Sequence, residues 1–271
     1  MKKRLIILRI FFAVGIATAV FFAILLGLDI FRERQGESFF AEIAPQFVPP
    51  PHLPTIMAAI DGEPALGTEN HEMELEPEAD DDVVIPAAII DFEQLATTIP
   101  SVVGWIQSYG TNINYPIVQG RDNDFYLHHL PNGTRNAMGS IFMDYRNNPN
   151  FLDANIIIYG HDMPRDNKFG SLRHFNRQAY FEQHPTMTIF TPNGNFAAVW
   201  FAGYVLDAAF YYPPMHFENN DDFRAFVNDA ISRSVFTSSI YVPCGSRLIT
   251  LATCTPTGPQ SHRFILVGKL Y

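Results

Sequence analysis

Cysteine is scarce in this chain of 271 residues, which has only Cys244 and Cys254. A small fold stapled by many disulfides is therefore excluded. The two cysteines are not expected to pair with each other. If residues 245–253 are mostly strand, the cysteines lie roughly 25 Å or more apart, whereas a disulfide needs Cα atoms within about 7 Å. No Cys/His cluster has zinc spacing, so we expect no metal and no cofactor.

Lysine and arginine are absent from residues 35–86. That segment carries twelve acidic residues, ten of them between Asp61 and Asp82, and prolines cluster near its start. Such a composition buries too little apolar surface to offset the entropy of ordering, so we predict an acidic, Pro-rich disordered tether. From residue 87 onward, 12 basic and 14 acidic residues nearly balance. A domain without a basic excess is not expected to bind nucleic acid.

Charge is also missing from residues 10–28. As a helix, these 19 residues span roughly 28 Å, close to the hydrocarbon thickness of a bilayer. A cleaved signal peptide has a shorter apolar core and a small-residue cleavage site. We therefore predict that residues 1–34 form a basic N-terminus and a retained transmembrane anchor. Four basic residues among the first nine favour a cytoplasmic N-terminus, although Arg32 and Arg34 follow the span. Membrane lipid is therefore an expected partner.

Residues 87–271 have the length of one domain, and β signals dominate them. Apolar or β-branched runs predict strands at residues 115–118, 139–143, 155–159, 187–190, 196–205, 247–254 and 263–270. Asn193-Gly194 predicts a hairpin turn, and Gly203 a bulge. Many strands with few helices suggest a closed barrel.

Three helical segments are predicted in the same domain. The first covers residues 91–96, with Asp91 as its N-cap. A short helical turn is expected from Pro100 toward Trp105. Apolar residues at helical spacing predict the third helix over residues 221–232, capped by Asn220 or Asp221.

The predicted strand at residues 247–254 ends on Cys254, directly before a polar loop rich in Pro and Gly. A buried structural cysteine is the ordinary interpretation of such a residue. Two other residues favour a reactive one. His161 follows an apolar strand and Gly160, and Arg263 begins the strand after the loop. A base or cation favours a thiolate, and a guanidinium can stabilise an oxyanion.

At these positions the chain resembles the class B sortases. Residues 250–254, Thr-Leu-Ala-Thr-Cys, resemble the Thr-Leu-x-Thr-Cys signature of sortases. Residues 159–163 and 169–172 look like the histidine segment of class B enzymes, and Arg263 stands where the family carries its arginine. Further matching segments lie at residues 103–106, 114–119 and 139–144. The resemblance covers about residues 89–271.

The resemblance implies an eight-stranded sortase β-barrel, with helices at its N-terminus and before the cysteine strand. It also implies a cysteine transpeptidase, without a cofactor, that cleaves a C-terminal sorting motif of secreted surface proteins. The acyl fragment would pass to an amine of a peptidoglycan precursor. Cys254 would be the nucleophile, His161 the acid and base, and Arg263 the oxyanion partner. The catalytic domain would lie outside the membrane of a Gram-positive type envelope.

Two positions depart from the class B pattern. Ala252 replaces a common serine, and Asp162 replaces the asparagine expected after the histidine. The resemblance assigns substrate binding to Ala252 and Thr253, and the lost hydroxyl bears on that recognition. Asp162 is a candidate for holding charge on His161. Two rival functions stay open: another cysteine peptidase, and a non-catalytic tethered binding domain on the same fold.

Overall fold

The computed structural model describes residues 2–48, 90–207, 213–254 and 262–271. Its helices are α1 (Lys2–Phe47), α2 (Phe92–Thr98), α3 (Gln178–Gln183) and α4 (Asn220–Arg233). Its strands are β1 (Val102–Gln107), β2 (Asn114–Gln119), β3 (Ile141–Met143), β4 (Asn155–His161), β5 (Thr186–Thr191), β6 (Gly194–Asp207), β7 (Leu248–Cys254) and β8 (His262–Leu270). Short 3-10 helices cover Phe125–Leu127, Pro164–Asp166 and Gly170–Asn176.

The strands close into a barrel in the order β1-β2-β3-β4-β7-β8-β6-β5. Both faces of the central strands are buried, which explains their unbroken apolar runs. On β4, for example, Ile156 and Ile158 belong to one apolar cluster, and Ile157 and Tyr159 to the other. The expected eight-stranded sortase-type barrel, with helices before β1 and before β7, is confirmed.

Several local predictions hold at residue level. The Asp91 side chain accepts a hydrogen bond from the Gln94 amide and caps α2. Thr191 and Gly194 pair across the predicted hairpin turn. Cys244 lies, as predicted, within a turn in which Ser246 N donates to Pro243 O, and its thiol is free. The Cys254 side chain lies outside what the structure describes.

Three local predictions are wrong. Pro100 opens a turn that leads into strand β1 rather than a helical turn, because β1 pairs with both β2 and β5. The cap of α4 is Asn219, whose side chain accepts from two backbone amides. The bulge in β6 lies between Trp200 and Ala202, not at Gly203. Gly203 instead makes room for an aromatic ring, since a Cβ there would lie 2.6 Å from Cε1 of Phe236.

Helix α1 extends beyond the expected anchor. Within its described residues one 18-residue window has a mean hydropathy of 2.3 and is wholly exposed, so the helix is long and apolar enough to cross a membrane. It then continues to Phe47, because Phe40 and Ile43 pack into the apolar clusters of the domain. Residues 35–47 are therefore helical, and the disordered tether expected from residue 35 cannot begin there. Residues 49–89, which hold the rest of that segment, lie outside the described residues.

Candidate active site

Strand β4 carries His161 as its last residue. The residue before it, Gly160, lets the strand pass close to Phe169, since an added Cβ would lie 2.7 Å from Cδ2 of that ring. His161 O also accepts a hydrogen bond from Phe169 N at 3.0 Å, so the chain returns to the strand end after a short loop. His161 is thereby fixed at the edge of a buried strand, with 7% of its surface exposed.

Cys254 is the direct neighbour of His161 on the adjacent strand. Strands β4 and β7 run parallel in a continuous register in which Gly160 pairs with Thr253 and His161 with Cys254. Neighbouring strands lie about 4.8 Å apart, so the main chains of two residues paired in this way are direct neighbours. The register thus joins two residues that are 93 positions apart in the sequence.

Arg263 lies on β8, on the other side of β7. The antiparallel β7–β8 register runs from Leu248–Lys269 to Ala252–Ile265. Continued by two residues, it brings Arg263 opposite Cys254, and Phe264 N does donate to Thr253 Oγ1 at 2.8 Å. Arg263 is half-buried and its Cα partner on the far side is Leu206 of β6. The three predicted catalytic residues therefore occupy three consecutive strands at one end of the barrel.

The two predicted substrate-binding residues are both buried. Ala252 has no exposed surface and belongs to an apolar cluster. Thr253 is 3% exposed, and its hydroxyl accepts the main-chain hydrogen bond from β8. Their side chains hold β7 against β8, so any contact with substrate would run through their main chain. Substrate binding by these residues stays a prediction.

The imidazole of His161 contacts a main-chain carbonyl rather than a carboxylate. Its Nε2 lies 2.7 Å from Leu127 O, at the end of the 3-10 helix Phe125–Leu127. The Asp162 carboxylate, a candidate for holding charge on His161, instead accepts a hydrogen bond from Nη1 of Arg173 at 2.7 Å. Arg173 also donates a hydrogen bond to Asp166. Asp162 thus connects the loop after His161 to the 3-10 helix Gly170–Asn176.

A buried carboxylate supports the loop that holds Leu127. Asp144 accepts two hydrogen bonds from the Arg146 guanidinium, one from Nδ2 of Asn123 and one from the Tyr159 hydroxyl. Burial alone would raise the pKa of Asp144, but the hydrogen bonds from Arg146 and Asn123 outweigh it and leave that pKa below its ordinary value. Asp144 therefore stays charged and links β4 to the loop before Leu127.

A groove of about 540 Å³ opens beside this end of the barrel. One wall is the part of α1 around Arg32, and the other includes His128, Met138 and Met163. Met163 follows His161 by two residues, so the groove leads toward the candidate catalytic strands. Among the described residues, no group of three or more His, Cys, Asp or Glu is placed to hold a metal ion.

Sequence reasoning missed the parts of the site that surround the imidazole. Leu127 was not singled out, and residues 139–144 were noted only as a matching segment and as a predicted strand over residues 139–143. Gly139 carried one usable signal, since a glycine at the start of a predicted apolar strand suggests a left-handed turn or a close approach. Its φ is +56°, and it lies against both Leu127 and His161.

Two curated relatives resemble most of the domain. Sortase B of Listeria monocytogenes is 39% identical over 170 residues, which cover 62% of this chain and 69% of the relative. Sortase B of Staphylococcus aureus is 32% identical over 180 residues, which cover 66% of this chain and 74% of the relative. No family model matches the chain.

Solved structures of sortase B also resemble this chain. The Staphylococcus aureus sortase B–substrate complex aligns with a TM-score of 0.64 at 31% identity, over 66% of this chain and 84% of that one. Sortase B complexed with triglycine aligns with the same score and identity, over 66% of this chain and 85% of that one. A Bacillus anthracis protein similar to sortase B aligns at 0.62 and 33% identity, over 66% of this chain and 81% of that one.

Proposed function

The chain belongs to the sortase B family, cysteine transpeptidases, and we propose that it joins surface proteins to the cell wall through Cys254, His161 and Arg263. One observation carries the proposal. The β4–β7 register makes His161 and Cys254 direct neighbours, and the β7–β8 register brings Arg263 to the other side of the same cysteine. A nucleophile, a proton carrier and an oxyanion donor thus meet on three adjacent strands.

The reaction has two halves. In the first, the Cys254 thiolate attacks the carbonyl carbon of a threonine in the sorting motif, and Arg263 donates hydrogen bonds to the developing oxyanion. The C–N bond then breaks, and the leaving amine takes a proton from the His161 imidazolium. In the second, an acceptor amine attacks the thioester, gives a proton to His161 and releases Cys254 as thiolate.

Two solved relatives support the choice of substrates. One relative was solved as a substrate complex, and another with triglycine, which has a free amine. For this chain we propose a sorting-signal peptide as acyl donor and a peptidoglycan-precursor amine as acceptor. The groove beside Met163 is the proposed route for one of them.

Helix α1 supports a membrane location for the reaction. Its apolar residues are exposed where they are described, and four basic residues precede or begin the apolar run. Arg32 O accepts from Nδ2 of Asn136 at 2.7 Å, so the domain touches the helix four residues after the run ends. At 1.5 Å per residue, that contact lies about 6 Å along the helix from the bilayer boundary. We propose a single-pass anchor with the catalytic domain outside, close to the membrane surface.

Turnover of a sorting-peptide library with an added amine acceptor tests the function. The full chain in detergent should cleave one peptide class and join it to the amine. Cys254→Ala should abolish both cleavage and transfer, because the thioester intermediate cannot form without the Cys254 thiol. Cys244→Ala is the matched control, since that free thiol lies in a turn before β7, and its activity should be close to wild type.

The same experiment separates the rivals. A non-catalytic binding domain would bind a peptide without any Cys254-dependent cleavage. A cysteine peptidase would cleave but never transfer to the amine. Equal loss of activity in the two cysteine variants would contradict the assignment of Cys254 as sole nucleophile.

A further inference from the structure

We propose that the main-chain carbonyl of Leu127 orients the imidazole of His161, and that Gly139 is the positioning residue that keeps the space for this contact. The inference rests on the proposed function where it concerns turnover. Its structural part concerns only which nitrogen of His161 carries a proton.

The first step is the direction of the hydrogen bond. Nε2 of His161 lies 2.7 Å from Leu127 O, and a carbonyl oxygen only accepts. Nε2 therefore carries a hydrogen in every protonation state that keeps the contact. In the neutral form the lone pair is left on Nδ1, so Nδ1 is the atom that takes up and releases the proton. Asp162 does not compete for this role, because Arg173 holds its carboxylate.

The second step is how the carbonyl is fixed. Leu127 N donates to Asp124 O, and the Asp122 carboxylate accepts from the amides of Asp124 and Phe125 at the start of the same turn. Ser140 N donates to Tyr126 O at 2.9 Å, which binds the turn to the segment that follows Gly139. The acceptor thus belongs to a turn that is tied at both ends.

The third step is the space between these groups. Gly139 has a φ of +56°, and an added Cβ would lie 2.7 Å from Leu127 O and 2.9 Å from Cδ2 of His161. Real Cβ atoms essentially never approach main-chain atoms so closely. A side chain at this position would therefore have to separate the carbonyl from the imidazole.

The same loop contains a matched control. Gly133 also has a positive φ, +83°, but an added Cβ there meets nothing within 4 Å. Gly133→Ala and Gly139→Ala thus both place alanine in the left-handed region, with its similar backbone cost. Only Gly139→Ala adds an atom between Leu127 and His161, so the difference between the two variants isolates the positioning effect.

Gly139→Ala should lower kcat on the order of a hundredfold, the usual cost of displacing a catalytic group by about 1 Å. KM should change little, because no substrate contact is altered. The nitrogen-15 signal of Nε2, followed by NMR, should change, because the Nε2–H group loses its acceptor. Gly133→Ala should leave kcat and that signal unchanged. The ionisable groups nearby, Cys254, Asp162, Arg173 and Arg263, are the same in both variants.

A direct reading of the tautomer needs no variant of Gly139. Nitrogen-15 chemical shifts of the neutral imidazole, assigned by comparison with His161→Gln, should show that Nε2 is protonated and Nδ1 is not in the wild-type chain. Hydrogen on Nδ1 instead of Nε2 in the neutral ring would overturn the inference, as would equal changes of kcat and of the Nε2 signal in the two glycine variants. Because the tautomer is read without turnover, its outcome is independent of the proposed reaction, which is tested separately by Cys254-dependent cleavage and transfer.

Discussion

The ring centroid of Phe40, on α1, lies 3.0 Å from the Nζ atom of Lys168. The same nitrogen lies 4.5 Å from the ring centroid of Tyr115, is fully buried and has no hydrogen-bond partner in the described structure. Burial therefore lowers the pKa of Lys168 well below its usual value. Lys168 belongs to the loop after His161, in which Arg165, Asp166 and Lys168 all have positive φ. The C-terminal part of α1 thus covers a strained loop next to the candidate catalytic strands.

Replacing Lys168 by methionine should stabilise the chain. Methionine fills a similar volume without a charge to desolvate, so the melting temperature should rise by roughly 2–4 °C for each kcal/mol regained. Lys269→Met is the control, because Lys269 contacts the Tyr271 ring at 4.0 Å but is only half-buried. A lower melting temperature for Lys168→Met than for the control would contradict the burial of an unpaired amine.

The stability of the wild-type chain should also rise with pH above neutrality. The folded pKa of Lys168 is lowered, so the unfolded state binds more protons in the window up to about 10.5, and the free energy of unfolding increases as pH rises. Denaturant titrations between pH 8 and 9 lie above most histidine ionisation and below that of tyrosine, and Lys168→Met keeps every other group that titrates in this range. The slope of the unfolding free energy against pH should be smaller in Lys168→Met. An unchanged slope would rule out Lys168 as the source of the pH dependence.

Phe40→Ala should destabilise the domain on the order of 3 kcal/mol, because it removes a buried ring and opens the cover of Lys168. Phe31→Ala is the matched control on the same helix, since Phe31 is 65% exposed.

A chain that starts at residue 87 should likewise melt lower than one that starts at residue 35. Equal melting temperatures would mean that α1 does not contribute to the core. Acylation of Lys168, followed by mass spectrometry, should be faster in Phe40→Ala.

Arg263→Lys should cost nearly as much turnover as Arg263→Ala, on the order of a hundredfold. Lysine keeps the charge but not the planar fork that donates two oriented hydrogen bonds. Kinetics on the sorting peptide and the pH dependence of Cys254 alkylation by iodoacetamide separate the two roles. Near-normal turnover in the lysine variant would leave only an electrostatic role for Arg263.

Asp162→Asn should leave the pH profile of turnover unchanged. The carboxylate bonds Arg173 rather than His161, and its neutral replacement can still accept one hydrogen bond. A modest loss of stability is expected, because an exposed ion pair contributes about 0.2–1 kcal/mol. A shifted pH profile would show that Asp162 acts on the imidazole after all.

Local sequence signals predicted the elements well where they depend on nearby residues. The Asp91 cap, the Asn193-Gly194 turn and the apolar β4 run are each specified within a few positions. The prediction at Pro100 failed for a tertiary reason. The residues that follow it gain their backbone partners from β2 and β5, and those partners override a local helical preference.

The sequence by itself determined the barrel class and the apolar N-terminal helix, and it singled out Cys254, His161 and Arg263 as candidate catalytic residues. These depend on period, composition and short motifs, which are local properties. Tertiary structure alone decided that His161 pairs with Cys254, that Leu127 O meets the imidazole and that Phe40 covers Lys168. Each of those contacts joins residues at least 34 positions apart. Strand register and helix docking set them, and no local pattern encodes either.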